Sequence, residues 1–328
     1  MPNVSIYRSP AGEAEVMALY ESELARLPIP YESRMVDTRF GPTHVLVAGP
    51  EDAPPVVTLH GVHFGGPFNL ELWFPLTQEC RVYAPDTVGQ PGRSAQTRPA
   101  PRDNNYGKWV ADVLDGLGLD RAALVGVSFG AGILLDAAAY CPERISQAVL
   151  VVPGGLTRGS ILMVFELLIP FTLYRFFPSR DRLLHVLRPF AAEPDETFLQ
   201  FFGAVIRHVQ WNVAGPGPFT REDLQGFRAP TLVLLARDDA FVPVDQAVRR
   251  AEQIIPNLGA VEVFEGPHIP TRQAQRFIND KSTGVSEGDS LICAFSFAFA
   301  FTRGHLSSLW FILRPRYSAV MPLMRMDT

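Results

Sequence analysis

The chain has 328 residues, of which 47% are hydrophobic and 19% are charged, and its net charge is −5. This composition excludes a disordered chain, and the length suits one large α/β domain or two smaller ones. Because the balance is acidic and no cluster of lysine and arginine stands out, we expect no nucleic-acid partner.

The cysteines and the N-terminal sequence indicate the compartment. Cys80, Cys141 and Cys293 show no CxxC spacing, which predicts reduced thiols rather than a disulfide framework or a zinc site. The N-terminus lacks a basic segment followed by an apolar one, so we expect no signal peptide. Charge or proline interrupts the apolar stretches before they reach the roughly 20 residues of a spanning helix. These features predict a cytoplasmic protein.

The first predicted elements are a helix and a hairpin. Apolar and acidic residues at helical spacing predict a helix over residues 11–27. Residues 33–38 and 43–48 flank Phe40-Gly41-Pro42, a pattern typical of a β-hairpin.

Six short apolar runs follow, and each ends in a turn signal. They are Val56–Leu59, Arg81–Ala84, Ala122–Val125, Ala148–Val152, Thr231–Leu235 and Val261–Phe264. Runs of this kind suit strands that are buried on both faces of a parallel sheet. Helical patterns lie between several of them, over 105–117, 132–140 and 244–255. This alternation predicts an α/β fold with a mostly parallel central sheet flanked by helices.

Residues 155–227 interrupt the alternation. The segment holds no good strand candidate, has a helical pattern and is rich in aromatic residues. These are Phe165, Phe171, Tyr174, Phe176, Phe177, Phe190, Phe198, Phe201, Phe202 and Trp211. We predict a helical cap inserted into an α/β core made of residues 1–154 and 228–280. Its aromatic side chains would form the core of the cap or line an apolar pocket.

The strongest local motif is Gly126-Val127-Ser128-Phe129-Gly130, which matches G-x-S-x-G. A strand-like run precedes it and a helix rich in small residues follows it. A serine on a sharp strand-to-helix turn has a strained backbone, and its neighbours two positions away must be small. This context favours a nucleophilic serine over a chance match of five residues.

With these features the chain resembles the α/β-hydrolase superfamily, whose order along the chain is nucleophile, acid, histidine. The turn after the run that begins at Thr231 carries two aspartates, Asp238 and Asp239. The family pattern places the acid four residues before the proline that closes this turn, which favours Asp239 and leaves Asp238 as the alternative. His268 follows the last strand-like run, although Pro267 stands where the family usually has glycine.

An earlier loop, His60-Gly61-Val62, resembles the family's His-Gly oxyanion loop. Acyl transfer places negative charge on a carbonyl oxygen, and fixed backbone N–H groups must meet that charge. The resemblance implies donors at Val62 and at Phe129, the residue after the nucleophile. Residues 86–94 resemble the family's D-x-x-G-x-G-x-S loop with an insertion, and the implied role is structural.

The resemblance implies a serine carboxylesterase in which Ser128, Asp239 and His268 form the catalytic triad. Such chemistry needs no metal and no organic cofactor, and its partner is a small-molecule ester. Acyl transfer, thioester hydrolysis, carbon–carbon bond hydrolysis and a non-catalytic binder on the same fold stay open as alternatives. The sequence leaves the oligomeric state open.

Residues 281–328 do not fit the family. An apolar, aromatic stretch follows the last expected helix, including residues 291–301 and 309–313. This extension would pack on the domain or a second copy, contact a membrane surface through its apolar and arginine residues, or be unrelated to the fold. The third interpretation is favoured because the family-like sequence stops abruptly.

Overall fold

The computed structural model describes residues 5–157, 161–212 and 214–283. The predicted extension therefore lies outside the described residues, apart from its first three positions. The strands are β1 (Glu32–Thr38), β2 (Gly41–Ala48), β3 (Pro55–Leu59), β4 (Arg81–Pro85), β5 (Ala122–Val127), β6 (Ile145–Val151), β7 (Thr231–Ala236) and β8 (Leu258–Phe264). The helices are α1 (Pro10–Arg26), α2 (Gly66–Leu72), α3 (Asn105–Gly116), α4 (Phe129–Tyr140), α5 (Ile161–Phe176), α6 (Arg180–Leu187), α7 (Glu196–His208), α8 (Val244–Ile254) and α9 (Arg272–Thr283).

The strands form one eight-stranded sheet in the order β1-β2-β4-β3-β5-β6-β7-β8. β1 and β2 form the predicted hairpin, and β2 is also antiparallel to β4. From β4 to β8 all neighbours are parallel. The predicted mostly parallel sheet is thereby confirmed, because the strands joined by helices had to run the same way.

Helices cover both faces of the sheet. On one face α3 and α4 pack with Trp109 fully buried among aliphatic side chains. On the other face the cluster includes Trp73, also fully buried, and residues of α1, α2 and α9. Since both faces are covered, the central strands carry apolar side chains at almost every position. This arrangement leaves the strand ends as the place for polar chemistry.

Between β6 and β7 the chain forms the helices α5, α6 and α7, which we call the helical insertion. It has an apolar cluster of its own, in which Phe190, Leu187 and Phe202 are buried. α7 packs against α1 at the N-terminus of the chain. An isolated bridge between Tyr7 and Val209 joins the same two regions.

Two simpler expectations concern the thiols and the membrane. The side chains of Cys80 and Cys141 are both buried. Cys293 lies outside the described residues. Among the helices described, none has the length and apolar character needed to span a bilayer.

Candidate active site

Ser128 lies at the junction of β5 and α4, with backbone angles φ 53° and ψ −112°. A serine rarely adopts a positive φ, and this strain persists only where the surroundings enforce it. Gly130 shows how tight the surroundings are, since a Cβ atom on it would lie 2.1 Å from the carbonyl oxygen of Leu59. A Cβ on Gly126 would lie 2.6 Å from the backbone of Ala131. Both glycines of the motif are therefore sterically required.

Hydrogen bonds to the neighbouring strand fix the turn further. The N–H of Ser128 donates to the carbonyl of Val151 over 2.9 Å, and the N–H of Gly154 donates to the carbonyl of Ser128 over 2.9 Å. The end of β6 thus holds the serine backbone from one side. The hydroxyl is left at the carboxyl edge of the sheet.

Three side chains from distant parts of the sequence form one hydrogen-bonded line at this edge. His268 Nε2 lies 2.9 Å from Ser128 Oγ, and His268 Nδ1 lies 2.8 Å from Asp239 Oδ2. Because an ionised carboxylate can only accept, Nδ1 donates to Asp239, and Nε2 of the neutral ring is left to accept from the hydroxyl of Ser128. This is the geometry in which a histidine removes a proton from a serine.

The turn after β7 holds Asp239 firmly in this line. Its second oxygen, Oδ1, accepts from the N–H groups of Phe241 at 2.7 Å and Val242 at 2.9 Å. The Asp239 side chain is 1% exposed. Asp238 is exposed, and its N–H donates to the carbonyl of Gly266. Of the two aspartates left open by the sequence, Asp239 is thus the one that contacts the histidine.

The profile of the alpha/beta hydrolase family matches residues 56–280, which is more than half of the chain. The chain belongs to the alpha/beta hydrolase family. A Bacillus subtilis protein named as an uncharacterized carboxylesterase, nap, is 27% identical to this hydrolase over 300 residues, covering 81% of this chain and 93% of its own. A 2-hydroxymuconate semialdehyde hydrolase of Pseudomonas putida is 28% identical over 240 residues, covering 66% of this chain and 81% of its own.

The fold has solved counterparts as well. The crystal structure of a naproxen esterase from Bacillus subtilis superposes on this hydrolase with a TM-score of 0.71. It is 23% identical and covers 85% of this chain and 99% of its own. At this identity the superposition supports the shared fold, and the resemblance stated from the motifs is confirmed by the family match.

The loop after β3 lies against the serine in this hydrolase. A Cβ on Gly61 would lie 4.0 Å from the Cβ of Ser128. Within the described part of the chain, no hydrogen bond occupies the N–H of Val62 or of Phe129. Both N–H groups therefore remain able to donate a hydrogen bond.

His60 holds the shape of this loop. Its Nδ1 lies 2.8 Å from the carbonyl of Gly61, and its Nε2 accepts from the N–H of Thr87 over 2.9 Å. Burial lowers the pKa of His60, and it lowers the pKa of His63 to about 3. A lowered pKa makes each ring a weaker base, and Nε2 of His60 is already occupied by the N–H of Thr87.

The loop after β4 has the structural role that the sequence predicts. Asp86 is fully buried and accepts from the hydroxyl of Tyr20 over 2.8 Å and from the N–H of Gly66 over 2.6 Å. Burial alone would raise the pKa of Asp86, but the hydrogen bonds from His44 and from the N–H groups of Gly66 and Arg93 hold it below its usual value. Asp86 thus connects α1, α2 and β2 through hydrogen bonds to a single carboxylate.

Sequence reasoning missed Phe241, whose ring meets the imidazole of His268 edge to face with centroids 4.9 Å apart. Phe241 also contacts Phe190 of the helical insertion, with centroids 5.4 Å apart. No motif marks this position, because its role arises only when the turn after β7 meets the insertion. The aromatic content of residues 155–227 indicated that the insertion would contribute aromatic side chains, but it did not indicate that one of them would contact Phe241.

The aromatic residues of the insertion do not all serve its core. Phe201 and Phe202 are buried, as expected of a core or pocket lining. Phe176 and Phe177 are 63% and 62% exposed, so the expectation is wrong for these two. They end α5 and begin the turn to α6, where no other element covers them within the described residues.

Proposed function

We propose that this chain is a serine carboxylesterase with Ser128 as nucleophile, His268 as general base and Asp239 as the acid that orients the histidine. The observation that carries the proposal is the line of two hydrogen bonds, 2.9 Å and 2.8 Å long, from the serine hydroxyl to the buried carboxylate. An isolated serine is a weak nucleophile, and this arrangement is what activates it.

The reaction follows from the geometry. Ser128 Oγ attacks the ester carbonyl carbon while its proton passes to His268 Nε2, and Asp239 stabilises the resulting imidazolium. The tetrahedral intermediate collapses, and the leaving alcohol takes the proton from His268, which leaves an acyl-enzyme. Water then attacks the acyl group and gives its proton to the histidine, which passes it to Ser128 Oγ as the acid is released. The proton lost by Ser128 thus leaves with the alcohol, and the proton lost by water restores the serine hydroxyl.

The N–H groups of Val62 and Phe129 are proposed to stabilise the oxyanion. Val62 lies in the loop shaped by His60, and Phe129 is the first residue of α4, directly after the hydrogen-bonded turn at Ser128, so we expect the donors to need no rearrangement during the reaction. The helical insertion is proposed to act as a cap. Its inner aromatic rings, which reach His268 through Phe190 and Phe241, favour an apolar acyl or alcohol group.

The name of the Bacillus subtilis relative as a carboxylesterase supports ester hydrolysis, and that relative aligns over 93% of its length. A panel of p-nitrophenyl esters of increasing acyl length tests the activity, and a fluorophosphonate probe tests the nucleophile. We expect Ser128→Ala to abolish labelling and to lower kcat by about 10⁴-fold or more.

Ser146→Ala is the matched control for this experiment. Ser146 lies near the start of β6, at the opposite end of the sheet from Ser128, so its loss should leave labelling and turnover unchanged. A folded wild-type protein that neither reacts with the probe nor hydrolyses any ester would refute the esterase and favour a binding protein.

Carbon–carbon bond hydrolysis is the second candidate, because the relative from Pseudomonas putida is named as a 2-hydroxymuconate semialdehyde hydrolase. The same serine and histidine serve both reactions. Comparing kcat/KM for 2-hydroxymuconate semialdehyde with that for the best ester separates them. A higher value for the semialdehyde would replace the carboxylesterase with this alternative.

A further inference from the structure

Large exposed apolar side chains concentrate on one part of the described surface, the hairpin formed by α5 and α6. Six of the nine such side chains among the described residues lie there. They are Leu168, Ile169, Leu173, Phe176, Phe177 and Leu184. Monomeric proteins rarely leave a continuous patch of this kind on the surface unless it binds something. We call these six residues the outer face of the insertion.

The outer face results from helical spacing. In α5, positions 168, 169, 173 and 176 fall on one side of the helix. Tyr174 and Phe171 fall on the other side, where Tyr174 is buried and Phe171 meets Trp211 with centroids 4.7 Å apart. α5 therefore has apolar residues on both sides, and among the described residues only the inner side is packed.

Cations surround the outer face. Residues 161–188 carry four arginines against two acidic residues, whereas the chain as a whole has a net charge of −5. The guanidinium of Arg175 lies 5.1 Å from the ring centroid of Phe176, and that of Arg182 lies 6.0 Å from that of Phe177. Arg8 lies close enough to Arg175 for the two charges to interact, so a further arginine lies beside the hairpin.

Most of these cations have no anionic partner in the part of the chain that the structure describes. Arg180 forms a salt bridge with Glu196. Those without a salt bridge among the described residues are Arg8, Arg175, Arg182 and Arg188. Glu166 and Asp181 are the acidic residues of the hairpin, and both are exposed. Arginine binds phosphate groups through paired hydrogen bonds, and its own weak hydration suits an interfacial position.

We propose that the outer face docks on an anionic lipid surface. The phenylalanine and leucine side chains would enter the boundary between headgroups and acyl chains, and the arginines would contact lipid phosphates. A second copy of the chain fits less well. A two-fold contact would bring together two copies of a surface that carries four arginines against two acidic residues, so both sides would have the same net positive charge.

Vesicle sedimentation of the full-length Ser128→Ala protein tests this proposal. The substitution removes the proposed catalysis, so lipid binding is measured separately from the esterase proposal and either can fail alone. We expect binding to vesicles of phosphatidylcholine with phosphatidylglycerol, weaker binding to phosphatidylcholine alone, and a decline with salt. Adding Phe176→Ser and Phe177→Ser should lower the partition coefficient by at least about tenfold.

Two further variants separate the apolar and the electrostatic contributions. Arg175→Gln with Arg182→Gln should weaken binding and flatten its salt dependence. The matched controls are Met35→Ser with Tyr140→Ser, which are exposed apolar side chains elsewhere, and Arg102→Gln. These controls should bind like the parent, and thermal unfolding should show that all variants fold.

Three results would overturn the proposal. The first is a parent protein that does not bind anionic vesicles. The second is binding that the outer-face variants leave unchanged, which would assign it to another segment such as residues 284–328. The third is a lipid-free dimer, seen by analytical ultracentrifugation, that dissociates on Phe176→Ser and Phe177→Ser, which would make the occupant a second copy.

Discussion

The α/β core and the helical insertion differ in how tightly their residues are packed. In the core, the loops at the carboxyl edge of the sheet are so tightly packed that a methyl group added at Gly130 would collide with Leu59. In the insertion, apolar side chains such as Ile169 and Phe177 remain on the surface. The comparison teaches that tight packing is concentrated in the core around the candidate site, while the insertion leaves part of its surface open for contacts with other molecules.

The largest effect expected in the core concerns the two adjacent aspartates. Asp239→Asn should lower kcat by about 10³–10⁴-fold, because the amide no longer holds the ring of His268 in the orientation that accepts the serine proton. Ester turnover and the thermal midpoint are to be measured together. Asp238→Asn, one residue away and exposed, should stay within about twofold of the wild type. The reverse ranking of the two variants would move the acid to Asp238.

The next test addresses how rigid the core is. Gly130→Ala should lower the free energy of unfolding by about 3–5 kcal/mol. The new Cβ would lie 2.1 Å from the carbonyl oxygen of Leu59, which belongs to the interior strand β3. Denaturant unfolding measures this loss. Gly259→Ala in β8 is the control, because its nearest neighbour would lie at an ordinary 3.4 Å. Equal losses in the two variants would mean that the elbow is less constrained than its geometry indicates.

A pair of phenylalanines sharpens the comparison within the insertion. Phe202→Ala should destabilise the insertion by about 3 kcal/mol, because it removes a ring buried among Phe64, Phe198 and Trp211. Phe177→Ala removes an exposed ring and should cost about 0.5 kcal/mol or less. Hydrogen exchange in α7 and denaturant unfolding report the difference. A similar cost for both would show that the outer face is packed in solution.

The smallest effect lies where the insertion meets the rest of the chain. Burial and the charge of Glu71 raise the pKa of Glu23 on α1 to about 7, above its usual value of 4.5. Between these two values the folded chain holds a proton that the unfolded chain has lost, so the free energy of unfolding falls as the pH rises. Glu23→Gln should remove this decline and be more stable than the wild type by about 1–2 kcal/mol above pH 7.

The pH series needs its own control. Glu79→Gln alters an exposed carboxylate and should run parallel to the wild type at every pH. Thermal midpoints from about pH 4.5 to 8 give the comparison. If Glu23→Gln also runs parallel to the wild type, the carboxyl of Glu23 is ionised in the folded chain and the junction is not sensitive to pH.

Sequence patterns predicted the repeated parts of this fold well. The hairpin of β1 and β2, the parallel strands and the elbow at Ser128 all follow from local rules: alternation, buried apolar runs and glycines where no side chain fits. α4 begins three residues before the predicted start, at Phe129, since the turn at Ser128 leads directly into the helix. The exposure of Phe176 and Phe177 was not predictable, because hydrophobicity alone does not say which side of a helix is covered.

The sequence by itself determined the family and the succession of strands and helices along the chain. It also determined which serine and which histidine belong to the candidate site. Only the tertiary structure decided which of Asp238 and Asp239 meets His268, that Phe241 supports the imidazole, and that α5 leaves one apolar side uncovered. Local preferences are encoded within a few neighbouring residues. Contacts between distant segments depend on how whole elements pack, which no short stretch of sequence specifies.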